Sequence, residues 1–194
     1  EKIVDKFKDD RTEFSFDTCV ILIGLCMKNQ INILDLSARE GLIDLCTFIL
    51  NLIKNHKEIA YKKIFELKSP IDKNNIFMSL VLSMRNRDKW TSFINEVFQL
   101  YPEPLKLYKF LIRQNIEGNT IFHLLTNDLV GAEKFELFWH EVHKQISTEN
   151  EKKIFFLKNK SNKTCLHTAA SSLEEKNEIF KEVLKVVKET HSKE

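Results

Sequence analysis

Four short segments of this 194-residue chain line up at an almost constant interval, and that regularity limits the fold more than any other feature. They are NILDLSA from Asn32, NIFMSLV from Asn75, TIFHLLT from Thr120 and TCLHTAA from Thr164. Their third residues, Leu34, Phe77, Phe122 and Leu166, stand 43, 45 and 44 residues apart. A period of that size marks an array in which each unit is too small to bury its own apolar face and must stack on its neighbours.

The residues around each landmark say what a unit contains. Asn32, Asn75, Thr120 and Thr164 precede the landmarks by two positions, and such side chains accept hydrogen bonds from the free N–H groups at a helix start. Each landmark is therefore expected to open a helix. Later in each unit comes an apolar stripe at helical spacing: Leu45, Phe48, Ile49 and Leu52; Trp90, Phe93, Ile94 and Val97; Phe135, Phe138, Trp139 and Val142; Ile179, Val183 and Val186. In the first unit it arrives early because Gly41 closes the first helix promptly. Shorter apolar patches, Phe65 and Leu67, Phe110 and Ile112, Ile154 and Phe156, precede the polar stretches SPIDKN, RQNIEGN and KNKSNK. Those patches and stretches predict an extended or hairpin-like connection. The expected class is all-α, a helical repeat solenoid with long inter-repeat loops. Residues 1–28 supply a capping helix or partial repeat, 29–71, 72–114 and 115–158 the first three repeats, and 159–194 the fourth with a C-terminal helix.

Composition narrows the function classes. At 43% hydrophobic and 30% charged residues the chain has an ordinary globular balance. A formal charge of +2 gives no global attraction to nucleic acid. The longest apolar run, from Cys19 to Met27, is far shorter than the ~20 residues that span a bilayer, so no membrane insertion is expected. Cys19, Cys26, Cys46 and Cys165 lack CxxC pairing and sit among apolar residues, which predicts buried, reduced thiols and a cytoplasmic or nuclear location. The sequons at Asn159 and Asn162 matter only in a secretory setting.

TCLHTAA at Thr164–Ala170 resembles the ankyrin TPLHxAA signature with only the proline missing, and EGNTIFH at Glu117–His123 resembles the run that leads into it. LDLSAREGLIDL from Leu34 is similar to the helix–turn–helix that follows the signature. The resemblance spans residues 29–190 and implies divergent ankyrin repeats. It departs from the family in two ways. Ankyrin units are about 33 residues long, so each unit here carries roughly ten extra, expected in a longer second helix and the connecting loop. The chain also has only four glycines, so a regular hairpin tip is expected at Gly118 alone. At the signature histidine position stand Asp35, Met78, His123 and His167, and the resemblance implies that the two histidines hydrogen-bond backbone between units.

Catalytic signals are sparse. His140, Glu141 and His143 form an HEVH pattern, not the HExxH of zinc proteases, and are expected on a solvated helix face without a metal. No phosphate-binding glycine loop, nucleophile elbow or kinase signature occurs. The chain is expected not to be an enzyme and to need no cofactor.

The resemblance instead implies a protein partner, bound by the concave side of the array. By alignment this side includes Leu36, Arg39, Glu40, Leu82, Leu124, Asn127, Asp128 and Thr168, with the three leucines as an exposed row. Lysines crowd the connections, at 62, 63, 68, 73, 106, 109, 152, 153, 158, 160 and 163, with Arg113. Of these, Lys68, Arg113 and Lys158 are the candidates for meeting an acidic partner surface. Scaffold, adaptor and inhibitor roles all fit. Two narrower readings are an NF-κB-inhibitor-like ankyrin protein, as in viral or parasite mimics, and the cytosolic array of a transient-receptor-potential type channel.

Overall fold

The computed structural model describes residues 34, 36–37, 40, 42–56, 65–69, 71–83, 87–127, 131–171 and 177–191. The expected capping segment 1–28, and Asp35, Arg39, Gly41 and Asp128, lie outside them. The described residues are mostly helical and contain no named strand. In chain order the helices are α1 (Ile43–His56), α2 (Ile76–Ser83), α3 (Arg87–Gln99), α4 (Pro104–Leu111), α5 (Ile121–Asn127), α6 (Gly131–His143), α7 (Thr148–Phe156), α8 (Cys165–Ala170) and α9 (Asn177–His191). Among the described residues, no helix is long and apolar enough to cross a membrane. The chain divides into two compact units, one of residues 1–71 and 75–84 and the other of residues 72–74 and 85–194.

In the first unit, α2 is buried along Ile76–Val81. Its start is capped as the sequence predicts: the Asn75 side-chain oxygen accepts from the Met78 N–H at 2.8 Å. A single antiparallel bridge joins Lys68 to Asn75. The α1 stripe differs from expectation. Among the side chains described, Cys46 and Leu50 are buried and Leu45 and Ile49 half-buried, whereas Phe48 is 40% exposed. Phe48 stands two residues from Cys46 and from Leu50, about 200° round a helix of 3.6 residues per turn, and so points away from them.

In the second unit, α8 packs on α5, α9 on α6 and α8, α7 on α9, and α6 on α5 and α3. Phe138 lies at the centre, fully buried, with its ring centroid 6.0 Å from Trp90, 5.9 Å from Phe98 and 5.6 Å from Phe122. Trp139 extends the cluster to Phe155 at 4.7 Å, and Tyr101 stacks on Phe110 at 4.4 Å. The predicted stripes of α3 and α6 are the residues buried here, joined by Val183 and Val186 of α9.

After α3 and after α6 the connecting residues are not all loop. Phe110 and Ile154, expected on an extended connection, lie near the ends of α4 and α7, which start 44 residues apart. A further helix thus follows α3 and α6 where an extended connection was expected. The local sequence dictates it: Pro104 is pre-set for a first helical turn. In α7, Ser147 accepts from the Asn150 N–H, while Glu149 and Glu151 complement the positive helix start. Phe156 at the α7 end is 67% exposed and takes no part in the core.

Candidate functional site

The polar stretches ahead of α2, α5 and α8 form tight tips, and within the second unit the same bonds recur from tip to tip. The Asn115 side-chain oxygen accepts from the N–H groups of Glu117 and Asn119, both at 2.9 Å. At the equivalent position 44 residues on, Asn159 accepts from Ser161 and Lys163, both at 3.0 Å. Each asparagine turns its amide nitrogen to the tip before it: Asn115 donates to the Asn74 side-chain oxygen at 3.0 Å, and Asn159 to that of Asn119 at 2.8 Å. The next residue adds a backbone rung, Ile116 N–H to the Asp72 carbonyl at 2.8 Å and Lys160 N–H to the Glu117 carbonyl at 2.9 Å.

Three residues occupy the left-handed region at matching tip positions: Lys73 (φ 59°), Gly118 (φ 78°) and Asn162 (φ 59°). The expectation that only Gly118 would support a regular tip is corrected. Asparagine tolerates this conformation, and Lys73 is held in it between Asp72 and Asn74, whose backbone and side-chain nitrogens both bond the Asp72 carboxylate. Gly118 meets a further constraint, because a Cβ there would lie 2.7 Å from the Lys160 nitrogen. The rung leaves no room for one.

His123 is buried and joins α5 to the following tip. Its Nδ1 accepts from the Thr120 hydroxyl at 2.9 Å and from the Thr120 N–H at 3.3 Å, and its Nε2 donates to the Lys163 carbonyl at 3.0 Å. These partners assign the neutral ring with its proton on Nε2. His167 makes the matching capping box with Thr164, the hydroxyl lying 2.7 Å from Nδ1. Burial holds His123 below the ordinary imidazole value of 6.5, against the opposing pull of the Lys163 and Leu157 carbonyls. The unfolded chain therefore takes up a proton before the folded one, and the stability that this ring contributes is full above 6.5 and lost as pH falls towards the folded value. Urea midpoints measured between pH 7.5 and pH 5 should fall more steeply for the natural chain than for His123→Gln, which retains one donor and one acceptor. Equal slopes would contradict this role.

The candidate contact residues fare unevenly. Leu36 is 48% exposed, Glu40 and Asn127 are exposed, and Arg39 and Asp128 lie outside the described residues. Leu82 and Leu124 are half-buried, so the expected row of exposed leucines is corrected: Leu124 sits on α5, against which α6 and α8 both pack. Thr168 is half-buried too, its hydroxyl 2.6 Å from that of Thr126. Lys68 and Lys158 are exposed, whereas Arg113 is half-buried with its guanidinium 5.7 Å from the Phe110 ring centroid.

The HEVH residues are not a simple solvated face. His143 Nδ1 pairs with Glu151 Oε1 at 2.5 Å, and the Glu151 carboxylate is buried with its other oxygen unpartnered. Glu141 is also buried and pairs with Lys144 at 2.9 Å. No group of three metal-ligating side chains occurs among the described residues. Burial pushes the Cys46 and Cys165 thiols up to about 12, which leaves them protonated and poor nucleophiles. Asn159, the first sequon asparagine, has its amide nitrogen engaged by Asn119. What sequence reasoning missed was the asparagine ladder. Its signal was there, since Asn115 and Asn159 stand 44 residues apart within the polar stretches already aligned. Comparison of the chain with models of known families, with curated proteins and with solved structures gave no significant match.

Proposed function

We propose that this chain is a non-enzymatic protein-binding module, a stacked array of divergent ankyrin-like repeats that presents its tips and first helices to a partner. One observation carries the reading: the rung of side-chain amide and backbone N–H bonds that links successive tips is made twice with the same atoms at corresponding positions. A ladder of that kind stiffens a row of loops, and loops held by a rigid scaffold are where binding residues concentrate. The signature histidines add support, since His123 bonds the backbone of the following tip as the ankyrin resemblance implies.

The purified chain should capture a protein from extracts of its source, and the purified pair should re-form a stoichiometric complex with neither component chemically altered. Failure of any captured protein to re-form that complex at about 10 µM, or turnover of a small molecule by the chain, would overturn the reading.

A further inference from the structure

Helix α4 is apolar on two faces. Leu107, Phe110 and Leu111 are buried, while Leu105, Tyr108 and the C-cap residue Ile112, three and four residues apart, form a second stripe about half a turn away. A surface helix ordinarily turns polar residues outward. Here Leu105 is 54% exposed, and Tyr108 and Ile112 are half-buried. The repeat does not require such a stripe. At the same positions 44 residues on, α7 carries Glu149, Lys152 and Phe156, so charged residues serve there equally well.

Basic residues edge the stripe on both sides. At about 100° per residue, Lys106, Lys109 and Arg113 fall along one side of it and Tyr108 along the other. On the Tyr108 side stands α7, whose Lys153 pairs with Glu149 at 2.6 Å and lies within electrostatic reach of the Tyr108 hydroxyl. Just beyond the ends of the two helices, the Gln114 side-chain nitrogen donates to the Lys158 carbonyl at 3.2 Å and holds them together. Residues 103–113 and 148–158 contain six basic and three acidic residues, a net charge of +3 where the whole chain carries +2. Of those acids, Glu151 is buried against His143, which leaves Glu103 and Glu149 at the surface.

We infer that the outer face of α4 docks an acidic amphipathic helix of a partner protein. This goes beyond the reading above, since it uses neither the tips nor the first helices. The partner helix lays apolar residues along Leu105, Tyr108 and Ile112, which span about 10 Å, two turns of a helix. Acidic residues on its flanks meet Lys106 and Lys109 on one side and Lys153 on the other, which fixes its position across the stripe. Phe156, 67% exposed three residues beyond Lys153, extends the apolar surface at the end of α7. A second copy of this face suits the place less well, because two surfaces of net positive charge repel. An anionic bilayer also suits it less well: insertion uses apolar side chains that stand clear of the surface, and two of the three in the stripe are half-buried.

Three probes separate these cases in titrations of the whole chain: a helical peptide with leucines at i, i+3 and i+7 flanked by glutamates, the same peptide with lysines in place of the glutamates, and vesicles of phosphatidylcholine and phosphatidylserine. The acidic peptide should bind below about 100 µM and shift the amides of residues 104–113 and 152–156. Leu105→Gln/Phe156→Gln should weaken it at least about tenfold, and Lys106→Gln/Lys109→Gln/Lys153→Gln at least about fivefold. Both variants change exposed side chains, so their thermal unfolding should match that of the natural chain. Absence of binding, shifts elsewhere, unchanged affinity in either variant, equal binding of the lysine peptide, tighter capture by the vesicles, or self-association of the chain through α4 would each overturn the inference. Such a failure leaves the tip-binding reading standing, and loss of partner contacts at the tips leaves the α4 result unmoved.

Discussion

Phe138→Ala should lower the stability of the second unit by about 3–5 kcal/mol, the usual cost of truncating a buried aromatic residue where neighbours cannot collapse into the space. Phe138 is fully buried, and its ring meets Trp90 of α3, Phe98 of α3 and Phe122 of α5. Three rings from two other helices would lose their common partner at once, including edge-on contacts worth more than their area alone. Urea denaturation followed by tryptophan fluorescence reads this well, since Trp90 and Trp139 both lie in the affected cluster. A loss under about 1 kcal/mol would mean that α6 does not organise this core.

The second large effect is expected at Asn115. Its side chain accepts two backbone N–H groups that close its own tip and donates to Asn74. At roughly 0.5–1.5 kcal/mol for each bond, with an added cost because the site is buried, Asn115→Ala should destabilise by about 2–4 kcal/mol. Asn115→Asp separates the two roles. It retains the acceptors that shape the tip and removes the donor to Asn74, whose own amide nitrogen is engaged by Asp72 and so cannot swing round to compensate. The aspartate variant should therefore lose stability as well, because its carboxylate oxygen faces the Asn74 oxygen with no proton between them. No loss in the aspartate variant would remove that bond from the ladder.

The contrast between these two sites shows what was legible in the sequence. Phe138 was assigned to a helical stripe from spacing alone, and burial followed, because a helix with apolar residues at three- and four-residue intervals has one way to hide them. The same rule misplaced Phe48: Cys46 and Leu50 define a competing face, and a stripe read from one sequence window does not say which face wins. The caps at Asn75 and Thr164 were legible because capping is local. The role of α4 and α7 was not. Their short apolar patches fit an extended segment as readily as a helix end, and only the tertiary positions of Phe110 and Ile154 decide.

The candidate site was legible as a set of loops and less so as residues. Alignment pointed to Leu124 and Thr168 as outward-facing, and their half-burial follows from helices packed on both of the elements that carry them. Lys158 was identified from composition, whereas the ladder that ties its tip to the one before it depends on bonds across 40 residues or more. Lys73 and Asn162 were overlooked as tip residues because glycine scarcity was weighed above the ability of short polar loops to hold other residues at positive φ.

Hydrogen exchange on the whole chain, free and in complex with its reconstituted protein partner, tests the central claim most directly. A partner held by the tips of the second unit should slow exchange at residues 114–119 and 158–163. Slowing confined to α4, α7 and α9, with the tips unchanged, would contradict it.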